Sequence, residues 1–317
     1  MDSFIIGFHK NNGDNLTELS SSFSLIGERR VLELHDVASE ISLAICDQLA
    51  SGLTLAEALA LVGQSPLVLD YQLHEDHLLD NRDRLRLLLT RISDVDRVVF
   101  TSLLKDALER NNITITEGDF LPEEDVDELI TYVKNPLSDE AFDVFSQDMT
   151  YPRLSYRPSF RECASSINRG DCGYALFPLE ERGGVRLPTV TELLRKNDFK
   201  INAITPVFGP RGDSELKYAL VSRFFLIPVI NEDDDLYLEV RIDSSSSSLS
   251  SLLCAAELFG HSVFRINTVT SEEDGETSSS LNLVFKDEGR RGFGSLLLYL
   301  ALFSEDHVTE GIYKNLE

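Results

Sequence analysis

Basic residues are scarce in this chain: 29 Lys and Arg stand against 54 Asp and Glu in 317 residues, a formal charge of -25. Such a surface repels phosphate backbones and anionic lipid, which argues against generic binding to nucleic acid or to a membrane. It still permits an anionic small molecule, because a few arginines can reverse the field inside one cleft. Cysteine is sparse too. Cys46, Cys163, Cys172 and Cys254 form no CxxC pair and no Cys/His cluster of zinc spacing. They read as reduced, mostly buried thiols of a reducing compartment. No stretch reaches the roughly 18 consecutive apolar residues of a membrane span. The opening MDSFIIGFHK lacks the basic start and long apolar run of a secretory signal. A cytoplasmic protein is expected. What remains, 42% hydrophobic and 26% charged residues, describes an ordinary globular chain of two or three domains.

Residues 30–110 read as helix. Val37, Ile41, Ala44, Ile45 and Leu49 fall at three- and four-residue spacing and make one apolar stripe. Thr54 with Glu57 three residues on has the spacing of a capping box and opens a second helix through Leu55, Ala58, Leu59 and Val62. A third helix runs through Leu78, Leu85, Leu88 and Leu89. A fourth starts near Ser93 and carries Val98, Val99, Leu103, Leu104 and Leu108. His74 and His77 flank Glu75, but an exposed acidic helix face explains them better than a metal, and no third ligand is near. Residues 111–150 are acidic and turn-rich and read as a connector, with a short helix over 123–133.

From residue 151 strand and helix alternate: helix over 159–168, strand over 173–177, helix over 189–196, strand over 200–207, and a long strand over 218–230. After the polar break at 231–235 the periods change in a regular order. Leu236, Leu238, Val240 and Ile242 alternate as a strand does. Leu249, Leu252, Leu253, Ala256 and Phe259 make a helical stripe closed by Gly260. A strand over 263–269, a polar hairpin loop over 271–279, a strand over 281–285, a helix over 296–300 and a strand over 307–313 complete two βαβ halves. That is the pattern of a split βαβ, ferredoxin-like domain. The expected class is mixed: a mostly helical domain with an acidic connector (1–150), an α/β lobe (151–232) and an α+β, βαββαβ domain (233–317).

The segment SFRECASSINRGDCGYALFPLEERGGVRLPTVTELLRKNDFKI, residues 159–201, resembles the first lobe of the prephenate dehydratase family, with Pro178, Leu179 and Glu180 in its Pro-(Ile/Leu)-Glu motif. Val221, Ser222, Arg223, Phe224 and Phe225 resemble the family's Thr-Arg-Phe strand. A βαββαβ ACT regulatory domain follows that strand in the family, and Gly311, Ile312 and Tyr313 resemble its usual end. The helices before residue 111 sit where bifunctional members carry a chorismate mutase. The departures are specific. Glu181, Arg182, Gly183 and Gly184 replace an Asn and a Thr-rich loop. Ser222 replaces the threonine. Only about 20 residues separate Ile201 from Ser222, where the family fits a second lobe. Asn267, Thr268, Val269 and Thr270 stand in for the effector motif Glu-Ser-Arg-Pro.

The resemblance implies conversion of prephenate, a dicarboxylate, to phenylpyruvate, water and carbon dioxide, with no metal and no organic cofactor. The leaving hydroxyl needs a hydrogen-bond or proton donor, and the carboxylates need fixed cationic donors. On that reading Ser222, Arg223 and Glu180 are the catalytic candidates. Arg182, Gly183, Gly184 and Phe224 are the substrate-binding candidates, with Arg186 a further one. Ser247, Ser248 and Leu249 at a helix start, Gly260 and His261, and Asn267 occupy the region where such regulatory domains hold an amino-acid effector. The resemblance also implies a homo-oligomer. The alternatives are a degenerate homologue that keeps only regulation or dimerisation, and a retained mutase activity in the helical region.

Overall fold

The computed structural model describes residues 28–64, 93–209, 215–229, 234–243, 249–273, 276–304 and 307–315. The expected third helix, His74, His77, Ser247 and Ser248 lie outside these residues. The chain groups into two compact units, Met1–Phe120 with Ser247–His261 and Gly292–Glu305, and Leu121–Ser246 with Ser262–Arg291 and Asp306–Glu317.

The first unit is helical. Helix α1 (Glu28–Ala50) buries Leu34, Val37, Ala38, Ile41 and Ile45, one face at helical spacing. They pack on Leu55, Ala58 and Leu59 of α2 (Leu55–Gln64) and on Val99, Phe100, Leu103, Leu104 and Leu108 of α3 (Asp94–Arg110). The capping box is formed: the Glu57 carboxylate accepts the Thr54 N–H at 2.9 Å, and Thr54 Oγ1 accepts the Glu57 N–H at 3.3 Å.

The second unit is built on one mixed sheet. Its elements in chain order are β1 (Leu129–Tyr132), α4 (Pro136–Phe145), β2 (Arg153–Tyr156), α5 (Phe160–Asn168), β3 (Tyr174–Glu181), β4 (Val185–Arg186), α6 (Pro188–Asn197), β5 (Lys200–Phe208), β6 (Glu215–Ser222) and β7 (Leu236–Asp243). Helix α7 (Leu249–Leu258) follows and is grouped with the first unit. Next come β8 (His261–Glu273), β9 (Glu276–Asp287), α8 (Gly294–Phe303), again grouped with the first unit, and β10 (Val308–Lys314). The strand order is β2-β1-β3-β6-β5-β10-β7-β9-β8, with β4 hanging on β3. The last four strands follow one another as fourth, first, third and second of the βαββαβ segment, the order of a split βαβ sheet. Mixed α/β class with a helical region is what the sequence pattern calls for.

Some expectations are corrected. Residues 123–133 hold no helix. Ile130, Thr131 and Tyr132 are buried in succession, because β1 lies between parallel strands β2 and β3, and such an interior strand shows no alternation. The presumed connector therefore contributes β1 and α4. Helix α4 is started by Asn135, whose side chain accepts the N–H groups of Leu137 and Ser138 at 3.0 Å, with Pro136 at its first position. The strand expected over 218–230 stops at Ser222. The hairpin loop expected over 271–279 is mostly strand, β8 ending at Glu273 and β9 starting at Glu276.

Candidate functional site

Three β-bulges decide where the polar side chains of the second unit go. One extra residue in a strand re-aims the side chains beyond it. The extra residues are Leu179 in β3, Asn202 in β5 and Glu310 in β10.

After the first bulge, Glu180 is buried. The turn through Gly183 (φ +91°) and Gly184 (φ +80°) returns the chain as β4 and sets Arg186 opposite Glu180. Arg186 Nε lies 2.9 Å from Glu180 Oε1. Arg265 of β8 grips the same carboxylate from its other side, at 2.7 Å to Oε2 and 2.5 Å to Oε1. A Cβ on Gly184 would come within 3.0 Å of Arg265 Nη1, so the glycine also leaves a path for that guanidinium.

Arg186 then donates to Glu239 Oε2 at 2.6 Å, and Glu239 further accepts from Tyr313 OH at 2.8 Å and Asn282 Nδ2 at 2.9 Å. The same Asn282 nitrogen reaches Glu310 Oε2 at 2.6 Å, and Arg241 Nε closes the row at 2.6 Å from Glu310 Oε1. Three arginines and three glutamates thus form one row through the sheet, in which Asn282 bridges the two neighbouring carboxylates of Glu239 and Glu310. Beside the Arg241 end, a depression lined by Leu194, Phe199, Ile201 and Val308 has about 20 Å³ of room, enough for one water molecule.

The electrostatics follow from this order. Burial opposes ionisation of Glu239, but Arg186 and the donors Tyr313 and Asn282 outweigh it and hold the carboxyl below its usual range. Burial, and then the charge on Glu239, raise Glu310 above its usual range despite Arg241. Burial and the adjacent Glu239 push the Tyr313 phenol well up, so it serves as a donor and not as a base. Raised Glu310 gives a testable sign. Its stabilising state is the protonated one, lost as pH climbs through the folded value. Glu310→Gln is therefore expected to gain stability relative to wild type as pH rises from 4 to 7, read as the difference in urea midpoint. A gap that stays constant across that range refutes the assignment.

Asn202, the second bulge residue, organises the end of β6. Its Nδ2 donates to Ser222 Oγ at 2.9 Å and to the Phe224 carbonyl at 3.2 Å, and its Oδ1 accepts the Leu226 N–H at 2.9 Å. Ser222 is buried. Its hydroxyl donates to the Phe224 carbonyl at 2.6 Å and accepts the Phe224 N–H at 3.2 Å. A hydroxyl has one proton to donate, and here the turn uses it. Arg223 is exposed, with its guanidinium 5.7 Å from the ring centre of the half-buried Phe224.

The sequence-derived candidates therefore lie at separate places. Val221 pairs with Ala175, whereas Glu180 lies five residues further along β3, roughly 17 Å away at strand rise. Ser222, Arg223 and Phe224 stand at one end of β3 and Glu180, Arg182, Gly183 and Gly184 at the other. Arg182 is on the exposed hairpin turn. Leu249 begins α7 and Gly260 (φ +87°) follows its far end, about 15 Å apart along ten helical residues. His261 is buried with its ring 4.5 Å from that of Phe293, and Asn267 is half-buried on β8. Among the described residues no three His, Cys, Asp or Glu side chains gather as a metal site. Burial pushes the Cys163 and Cys172 thiols up to about 11, which leaves them inert as nucleophiles.

Sequence reading named Glu180 and Arg186 but missed Arg265, Glu239, Asn282, Glu310, Arg241 and Asn202. The one signal present was a polar residue at every second position of an otherwise apolar strand, as in Leu236 to Ile242.

No protein-family model and no curated protein sequence matches the chain. Among solved structures it is similar to the prephenate dehydratase of Streptococcus mutans, at 14% identity over 60% of this chain and 99% of that one, with a TM-score of 0.47. It is similar to the prephenate dehydratase of Arthrobacter aurescens in complex with L-Phe, at 12% identity, 58% and 89% coverage and a TM-score of 0.41. It is also similar to GqqA, described as a novel type of quorum quenching acylase, at 16% identity, 59% and 95% coverage and a TM-score of 0.44.

Proposed function

We propose that this chain is a catalytically silent relative of the prephenate dehydratases: a regulatory protein whose C-terminal βαββαβ segment serves as an ACT-type element for a small amino acid and for assembly into a homo-oligomer. The observation that carries this reading is the state of Ser222 and Glu180. Dehydration of prephenate needs a hydroxyl donor and carboxylate-binding cations around one small molecule. Here the hydroxyl is closed into a turn, and Glu180 lies roughly 17 Å away with Arg186 and Arg265 already on it. The sequence resemblance supplies the family, and the strand order of the last four strands supports the regulatory half.

Purified protein mixed with prephenate is expected to form no phenylpyruvate above the uncatalysed rate, followed by absorbance. Wild type, Ser222→Ala and Arg223→Ala should be indistinguishable. Turnover in the wild type that either substitution abolishes overturns the proposal. Calorimetry against a panel of amino acids, beginning with phenylalanine and tyrosine, tests the regulatory half; no heat with any of them leaves assembly alone.

A further inference from the structure

Among the described residues strand β2 is one edge of the ten-strand sheet, paired on a single side with parallel β1. The Arg153 N–H bonds to the Glu128 carbonyl and the Arg157 N–H to the Tyr132 carbonyl, both at 3.0 Å. In a parallel ladder alternate residues turn both backbone groups to the same neighbour. Leu154 and Tyr156 therefore turn theirs to the open side. Around that edge Tyr151, Leu154 and Tyr156 are 78%, 43% and 41% exposed, an apolar strip beside unpaired backbone.

The charge of the edge segment itself is opposite to that of the molecule, although the Glu128 carboxylate accepts the Thr150 and Tyr151 N–H groups at its start. From Met149 to Arg161 there is no Asp or Glu, and Arg153, Arg157 and Arg161 fall at four-residue intervals, in a chain of net charge -25. Arg153 is neutralised by Asp127. Arg157 is fixed by neutral partners, Ser166 Oγ at 2.9 Å and Ser155 Oγ at 2.7 Å, with one nitrogen 3.2 Å from the Tyr156 carbonyl. Lys134 Nζ stands 4.6 Å from the centre of the Tyr156 ring. Among the described residues none of Lys134, Arg157 and Arg161 is paired with a carboxylate. Pro152 and Pro158 bound the strand, so pairing is confined to about five residues and cannot propagate.

We propose that the open edge of β2 is the docking site of an extended acidic peptide segment of a partner protein, added as a further strand, with its acids on Lys134, Arg157 and Arg161 and its apolar residues on Tyr151, Leu154 and Tyr156. Strand addition supplies main-chain bonds, and the side chains select the sequence. A second copy of this chain would set the same three cations against themselves, and a nucleic acid would meet the acidic remainder of the surface.

The test uses the full chain and fluorescein-labelled eight-residue peptides alternating Glu with Val, or Lys with Val, followed by anisotropy. The Glu peptide is expected to bind and the Lys peptide not. Leu154→Pro deletes an outward N–H without touching a bond to β1, so it should weaken binding about tenfold while the melting temperature and far-UV spectrum stay the same. Leu154→Val should bind as wild type. Arg161→Glu should weaken binding and flatten its dependence on salt. Any of these outcomes would overturn the proposal: no binding of the Glu peptide; equal binding of the Lys peptide; indifference to Leu154→Pro; or competition by single-stranded DNA stronger than by unlabelled Glu peptide. Self-association in sedimentation that Leu154→Pro abolishes would assign the edge to a second copy instead, and would overturn it equally.

Discussion

Arg186→Met is expected to destabilise the sheet-bearing unit by about 3–5 kcal/mol, the cost of leaving one member of a buried ion pair without its partner. Arg186 is the middle cation of the row, held by Glu180 on one side and Glu239 on the other. Without it Glu180 keeps its hydrogen bond and its ion-pair contact to Arg265. Glu239 keeps only the neutral donors Tyr313 and Asn282, and it is fully buried. Urea denaturation with an unchanged slope is the measurement. The double variant Arg186→Met, Glu239→Leu should recover most of the loss, because removing a buried pair together costs far less than breaking it. The pH dependence should also reverse. In the wild type Glu239 sits below its unfolded value, so its contribution is present above that value and is lost as pH falls through the folded one. In the variant the lowering cation is gone and burial dominates. The folded value moves above the unfolded one, and stability is lost as pH rises. A variant whose deficit is the same at pH 5 and pH 7.5 contradicts this account.

Gly311→Val should also be damaging, though less so, for a steric reason. Gly311 of β10 is in register with Ile201 of β5, a parallel contact that, with the bridge between Ile204 and Asn315, joins the βαββαβ strands to the rest of the sheet. A Cβ there would lie 2.6 Å from the Ile201 carbonyl oxygen and 2.8 Å from its Cβ. Neither can move without shifting a strand. A loss of about 1–3 kcal/mol, or roughly 5–10 °C in Tm, is expected. Gly183→Ala is the comparison. Nothing lies near its Cβ, and only its positive φ is strained, so about 1 kcal/mol is expected. Equal losses in the two variants would remove the argument from close approach.

The helices of the first unit were legible because their apolar residues repeat at helical spacing, and the cap at Thr54 is local chemistry. The order of elements after residue 235 was legible for the same reason. Strand β1 was not. Three of its four residues are buried in succession, on both faces, and burial on both faces carries no period by which to tell strand from helix. The polar row was hidden for a different reason. Glu239 and Arg241 alternate with Leu238, Val240 and Ile242, which reads as a solvent-facing side, yet Glu239 has no exposure at all. Whether an alternating strand is wet on one face depends on what covers it. The cover here, Arg186, lies 53 residues away in sequence. Bulges are equally silent: nothing local to Asn202 or Glu310 announces an extra residue, because the misfit is a property of two strands and not of one.

The position of β10 has a consequence for how the protein is made. It lies between β5 and β7, inside the sheet, yet it is synthesised after the nine strands around it. Until it leaves the ribosome, the β5 and β7 edges have no partner, and the carboxylate of Glu239 waits for the Tyr313 hydroxyl. Closure must therefore wait for β10 to emerge, as a slow search over long sequence separations. During that interval two hydrophobic edges are open to other chains. A nascent chain stalled just short of Val308 should depend on holdase chaperones far more than one in which β10 has emerged.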